Sequence, residues 1–276
     1  MVQDLGYADG AAGFLVFSNH FYLASMAAQS TTKRTLLQRI WRITKKVFLW
    51  LFILQLVYII LLRWVDPPIT MTQFSSWVSG HGMKRDYVSR NNISPEAKLA
   101  VIAAEDQLFP DHSGFDWKSI KKAMDYNEKK PGRVRGASSI SQQVAKNVFL
   151  WQGGGWFRKG LESYFTFMIE KLWGKKRILE VYLNVVEMGD GVFGIEAAAQ
   201  TFYHKPAKNL TRQEAAMIAA TLRNPVFYNL KSPTSRMNTR ANWVVRQMNN
   251  LIVDPDIRNV IGLPVPETGS KKSVNQ

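Results

Sequence analysis

The sequence predicts a mainly α-helical domain held behind a single N-terminal transmembrane helix. Three observations carry that prediction. Residues 47–62, VFLWLFILQLVYIILL, contain no charge and are long enough, with the next three residues, to cross a bilayer as a helix. Beyond them, helix-start chemistry recurs ahead of runs with apolar spacing near 3.6. No run alternates with period 2 between hairpin turns, so no sheet is expected.

The elements follow in order. Residues 1–46 read as a cytoplasmic tail that is basic near the membrane, and residues 1–32 show no pattern that assigns them a structure or a role. Lys33, Arg34, Arg39, Arg42, Lys45 and Lys46 precede the span, whereas Arg63 is the only basic residue on its far side before Lys84. The bias of Lys and Arg toward the cytoplasmic side puts the N-terminus inside and everything after the span outside. The span itself is read as residues 47–65, with Trp50 and Trp64 near its ends, where indoles favour the interface. Asp66-Pro67-Pro68 breaks the helix, and residues 66–93 read as a linker.

The outer domain is read as residues 94–262. Ser94-Pro95-Glu96 gives an N-cap, a proline at the first helical position and an acid in the first turn. Asp116 caps a helix running to about Asn127. Ser139 to Phe149 and the amphipathic stretch Phe157 to Trp173 are two more. Lys175 to Glu187 follows, with Ile178, Tyr182 and Val185 on one face. Thr211-Arg212-Gln213-Glu214 is a capping box. Ser232-Pro233 starts a last helix reaching about Ile252. Residues 263–276 read as a loose tail.

Composition narrows the function. The formal charge is +15, which suits nucleic acid, anionic lipid or phosphate-bearing substrates. An outer location argues against nucleic acid. The chain has no cysteine, which excludes disulfides, thiolate metal sites and cysteine nucleophiles.

Three stretches carry candidate chemistry. Glu105 and Asp106 close an apolar helix beside Phe109, where burial raises a carboxylate's pKa toward acid–base work; a solvated helix end has the same pattern. Arg158, Lys159 and Glu162 lie one turn apart, as a surface ion pair or as a phosphate-binding helix start. Between them, GASSISQQVAKN places Ser139, Gln142, Gln143 and Lys146 on one helix face opposite Ile140, Val144 and Val148, after Arg133 and Arg135 in a glycine-containing approach. Hydroxyls, amides and a lysine on one face suit a polyanionic, hydroxyl-rich ligand. Trp151, Trp156 and Phe157 around Gly153-Gly154-Gly155 read either as core or as a surface that dips into lipid headgroups.

These stretches resemble, in order, the motifs of the bacterial peptidoglycan glycosyltransferases. EDQLFPDHSG looks like EDxxFxxHxG, GASSISQQVAKN like GxSTxTQQxxKN, and RKGLE like RKxxE. KRILEVYLN and GVFGIEAAAQTFYHK are similar to the two motifs after them. Ser139 and Ser141 stand where the family has threonine, which keeps the hydroxyl. A single span with no further domain resembles the monofunctional branch.

The resemblance implies a lysozyme-like helical glycosyltransferase domain. It implies an enzyme that polymerises lipid II, inverts the anomeric carbon and releases undecaprenyl pyrophosphate. Glu105 would be the general base, with Asp106 and His112 orienting it or holding the local backbone and counted among the substrate- and pyrophosphate-binding residues. Glu162 would sit near the pyrophosphate, directly or through a divalent cation (Mg or Mn), with no organic cofactor. Lys146, Arg158 and Lys159 would neutralise the leaving group, and Ser138, Ser139, Gln142 and Gln143 would bind sugar hydroxyls or phosphate oxygens. Implied partners are lipid II, the growing glycan strand, membrane lipid and cell-wall synthesis proteins, at the inner (cytoplasmic) membrane with the catalytic domain outside. Two other readings stay open at this point, a glycan-cleaving lytic transglycosylase and a non-catalytic scaffold. A transpeptidase is disfavoured: Ser119-Ile120-Lys121-Lys122 fits SxxK, but no KTG occurs.

Overall fold

A computed structural model describes residues 10–130, 132 and 136–266, with side chains from residue 35 onward. Arg133, Arg135 and the tail beyond residue 266 lie outside them. The chain divides into two compact units, residues 1–58 and 59–276.

The first unit is carried by helix α1 (Gly10–Leu61). Its segment Thr35–Leu61 is long and apolar enough to cross a membrane. Phe48, Leu49, Trp50, Leu51 and Leu54 are exposed along it, as expected of a lipid-facing helix and not of a core helix. The stretch before the span, to which the sequence pattern assigns no structure, is helical from Gly10. The helix ends at Leu61, so Arg63, Trp64 and Val65 form the turn after it and not its last residues.

The second unit is mainly helical. The expected linker is folded: α2 (Met71–Val78) starts with a full capping box, in which Thr70 Oγ1 accepts from Gln73 N and Gln73 Oε1 accepts from Thr70 N. Gln73 is buried and also bonds the Tyr87 hydroxyl. Seven further helices run as α3 (Pro95–Glu105), α4 (Trp117–Lys129), α5 (Ile140–Phe149), α6 (Trp156–Leu172), α7 (Lys175–Val185), α8 (Ile195–Tyr203) and α9 (Arg212–Thr221). Two more, α10 (Ser235–Leu251) and α11 (Pro255–Ile261), complete the set. The caps at Ser94, Asp116 and Thr211 stand where the sequence places them. The last long helix is capped by Thr234 instead of Ser232, and α11 was not expected.

A short sheet was not expected either. Its strands are β1 (Lys84–Arg85), β2 (Glu187–Gly189) and β3 (Val192–Phe193), in the order β1-β3-β2. β1 runs parallel to β3, with Lys84 opposite Val192, and β2 runs antiparallel to it. The turn at Gly191 demands glycine: its φ is +66°, and a Cβ would lie 2.0 Å from the His81 carbonyl oxygen.

α3 forms the middle of the core. Leu99, Ala100, Val101, Ile102 and Ala103 are all buried, because the helix packs against both α9 and α10. Glu96 at its start accepts two hydrogen bonds from the Arg212 guanidinium of α9, at 2.7 and 3.1 Å. α5 packs between α6 and α7 through Ile140, Val144 and Val148. The C-terminal end of α3 and one side of α5 thereby meet, and the candidate residues collect there.

Candidate active site

Glu105 is the last residue of α3, mostly withdrawn from water. Burial pushes its carboxyl pKa above the usual range. A hydrogen bond from Gln143 and the Arg240 charge work against that, Asp106 adds to it, and Lys146 opposes it. Gln143 Nε2 donates to Glu105 Oε2 at 2.9 Å. The fully buried Tyr182 hydroxyl of α7 donates to Gln143 Oε1 at 3.0 Å. The ionised Glu105 carboxylate can only accept, so it takes the Gln143 amide N–H and leaves Oε1 to the phenol proton.

Asp106 and His112 are positioning groups. Asp106 is buried, lies 2.9 and 3.1 Å from His112 Nε2 through its two oxygens, and accepts the Ile140 N–H at 3.0 Å. His112 Nδ1 accepts the Gly114 N–H at 3.2 Å, so the ring proton sits on Nε2. Gly114 has φ +89°, and a Cβ there would meet the Thr166 methyl at 2.7 Å. Together these bonds tie the end of α3 to the start of α5. Asp106 and His112 therefore present no free ligand groups to a substrate, unlike the expectation that placed them among the binding residues.

The same correction applies to Ser139 and Gln142. Both are buried. Ser139 caps α5: its Oγ accepts from Gln142 N at 3.2 Å and donates to the Gly114 carbonyl at 2.6 Å. Gln142 Oε1 accepts from Ser139 N at 3.0 Å, which closes a capping box. Capping turns these side chains back onto the helix start, so the polar face predicted from helical spacing splits. Gln143 and Lys146 remain partly open, and Ser138 is exposed.

Glu162 lies on α6 with almost no exposure. Its Oε2 accepts from Arg158 Nη1 at 3.0 Å, and its Oε1 pairs with Lys159 Nζ. Arg158 Nε is buried without a hydrogen-bond partner among the described residues. Gly154 packs against the Arg158 side chain, leaving only 3.0 Å for a Cβ at that position.

Lys146 joins the two clusters. Burial lowers its pKa; Glu162 raises it, Arg158 and Lys159 lower it, and Glu105 raises it. The ammonium thus responds to both acids. Both Glu162 oxygens already face a cation of the protein itself, and no group of three or more His, Asp or Glu that could hold a metal ion occurs among the described residues.

Sequence reasoning missed Arg240. It reaches back from α10, donates through Nη2 to the Ala104 carbonyl at 2.9 Å and lies 4.2 Å from the Trp243 ring centroid. Its charge acts on Glu105. No local pattern around Arg240 marks it, because only the packing of α10 on α3 brings it there.

Trp156 and Phe157, at the start of α6, are 93% and 75% exposed. The core reading of these two is corrected: they form an apolar surface.

Comparison with known proteins identifies the family. A family model described as Transglycosylase matches residues 71–249, more than half of the chain. The chain is 48% identical to the biosynthetic peptidoglycan transglycosylase of Shigella boydii, over 78% of this chain and 95% of that protein. It is 57% identical to the protein of that name from Mannheimia succiniciproducens, over 60% of this chain and 68% of that one. For the Escherichia coli protein of that name the figure is 55%, over 66% of this chain and 77% of the relative. The match begins within α2, in the stretch expected to be a linker, and all of the clusters above fall inside it: the chain belongs to the transglycosylase family.

Proposed function

We propose that this chain is a membrane-anchored peptidoglycan glycosyltransferase that polymerises lipid II into glycan strands. The observation that carries this reading is the cation cluster Arg158–Lys159 on buried Glu162, together with Glu105, held by Gln143 at the end of α3, and Lys146, whose charge responds to both acids. A sugar bond forming at one end while a diphosphate leaves at the other needs that asymmetry.

In the proposed reaction the acceptor 4-hydroxyl gives its proton to Glu105 as its oxygen bonds to the donor C1. The bond from C1 to the pyrophosphate oxygen breaks, and undecaprenyl pyrophosphate departs with the electron pair, inverting the anomeric carbon. Gln143 already occupies Glu105 Oε2, so Oε1 is the atom that takes the proton. A raised pKa suits a base that must hold the proton it removes. Lys146, Arg158 and Lys159 meet the developing phosphate charge, and the unpartnered Arg158 Nε is a donor in reserve for it. Glu162 acts as a positioning residue for Arg158 and Lys159, since direct contact would set one anion against another. No step uses a divalent cation. Ser138 and Gln143 remain as candidates for sugar or phosphate oxygens.

The segment Thr35–Leu61 anchors the enzyme in the inner membrane, where its lipid-borne substrates lie. The basic flank before it supports a cytoplasmic N-terminus and an outer catalytic unit. The exposed Trp156 and Phe157 suit contact with the headgroup layer. Purified protein incubated with lipid II in detergent tests the reading. Conversion to glycan polymer is the expected result. Shortening of preformed glycan, with lipid II untouched, would overturn it in favour of a lytic enzyme.

A further inference from the structure

A cavity of about 360 Å³ opens beside the end of the span, away from the groups assigned to catalysis. Its wall includes Arg63, Trp64, Arg90, Lys176, Arg177 and Glu180. Cations outnumber acids there, and the acid is already engaged. Glu180 Oε2 pairs with Arg177 Nη1 at 3.2 Å, and its Oε1 accepts the Arg90 backbone N–H at 2.8 Å. Arg177 also pairs with Asp66 and donates to the carbonyls of Leu62 and Val65. Arg177 is thus neutralised and structural.

Arg63, Arg90 and Lys176 have no acidic partner among the described residues. Arg63 donates only to the Leu172 carbonyl, at 2.7 Å. Lys176 lies in the first turn of α7, which has no acid and no side-chain cap at Gly174. Cations at the positive end of a helix dipole repel it, and an anion bound between them would relieve both.

The covalent chain places this cavity at headgroup depth. Helix α1 ends at Leu61, and Arg63 and Trp64 follow at once, with Trp64 exposed. Basic pockets at such levels bind anionic headgroups.

We propose that this cavity binds the phosphodiester headgroup of an anionic glycerophospholipid. A zwitterionic lipid fits less well, because its own cation would meet Arg90 and Lys176. The proposal rests on the membrane anchor but not on the transfer chemistry.

The test uses the full-length protein in mixed micelles, with native mass spectrometry to count retained lipid. The probes are phosphatidylglycerol and phosphatidylcholine of equal chain length. The expected result is retention of phosphatidylglycerol over phosphatidylcholine. Arg90→Gln with Lys176→Gln should reduce it by about tenfold or more, at an unchanged melting temperature. Equal retention of the two lipids by the wild-type chain would overturn the proposal, whatever the variant does. So would equal retention of phosphatidylglycerol by variant and wild type. Millimolar inorganic phosphate that empties the site would overturn the lipid as occupant and leave free phosphate in its place. Flotation with phosphatidylcholine vesicles separates the two readings: a chain that fails to float contradicts the anchor itself, while one that floats without preferring the anionic lipid contradicts only this site.

Discussion

Gln143 Nε2 lies 2.9 Å from Glu105 Oε2, and the bond joins the middle of α5 to the last residue of α3. It favours the ionised carboxylate, while burial favours the protonated one. Glu105→Gln should therefore lower polymerisation by about 10²–10⁴-fold, the usual contribution of a general base, while lipid II still binds. Near wild-type turnover in a continuous lipid II assay would remove Glu105 as base.

Gln143→Ala removes a bond that holds the Glu105 pKa down. The base then needs a higher pH to ionise, so the acid limb of the pH–rate profile should move to higher pH. A purely structural role for Gln143 would lower the rate without moving that limb. The substitution also leaves the Tyr182 hydroxyl unpaired and should cost about 1–3 kcal/mol of stability.

Ser139→Ala should act on folding and not on substrate affinity. It deletes the cap of α5 and the bond to the Gly114 carbonyl, for a loss of about 1–2 kcal/mol in denaturant unfolding. Ser139→Thr should restore it. A large rise in KM for lipid II at unchanged stability would return Ser139 to the substrate-binding set.

Lys146→Ala should lower kcat/KM by about 10²–10³-fold, because it removes a charge directed at the leaving phosphates. Lys159→Ala should weaken donor use less, since Lys159 is more open to solvent. Unchanged donor affinity in both would argue that neither meets a phosphate.

Lys98 provides a test unrelated to catalysis. It is buried on α3, with one long bond of 3.4 Å to the Ile261 carbonyl. Burial pulls its pKa from 10.5 to about 8; the Arg90 charge adds to this, and Glu180 opposes it. Between about 8 and 10.5 the unfolded chain binds more protons than the folded one, so this group's share of stability rises with pH in that window. Lys98→Met should stabilise the protein at neutral pH by an amount on the order of 1 kcal/mol after solvent screening. That gain should shrink as pH climbs through the window. A gain independent of pH would contradict burial of a charged lysine.

Local chemistry explains what the sequence made legible. Ser94-Pro95, Asp116 and Thr211 with Glu214 announce helix starts because a cap satisfies backbone groups within three residues. The same signals stand at Thr70 with Gln73 and at Asp254-Pro255, where α2 and α11 begin. The strands were not readable, since two or three residues carry no periodicity. In the site, helical spacing marks Arg158 with Glu162 and Gln143 with Lys146, while the roles given to Glu105, Lys146 and Glu162 come from motif resemblance. Ser139 and Gln142 were misplaced because a helical wheel ignores the inward turn at a cap. Arg240 was missed because its proximity to Glu105 arises from the packing of two helices distant in sequence.

The imidazole of His112 has one nitrogen held by an amide and the other by Asp106. A ring tethered at both ends cannot ferry protons, so histidine-directed reagents should slow this enzyme only where they loosen its scaffold. In the proposed mechanism Glu105 then passes its captured proton to water or to a departing molecule before each new cycle, without help from this ring.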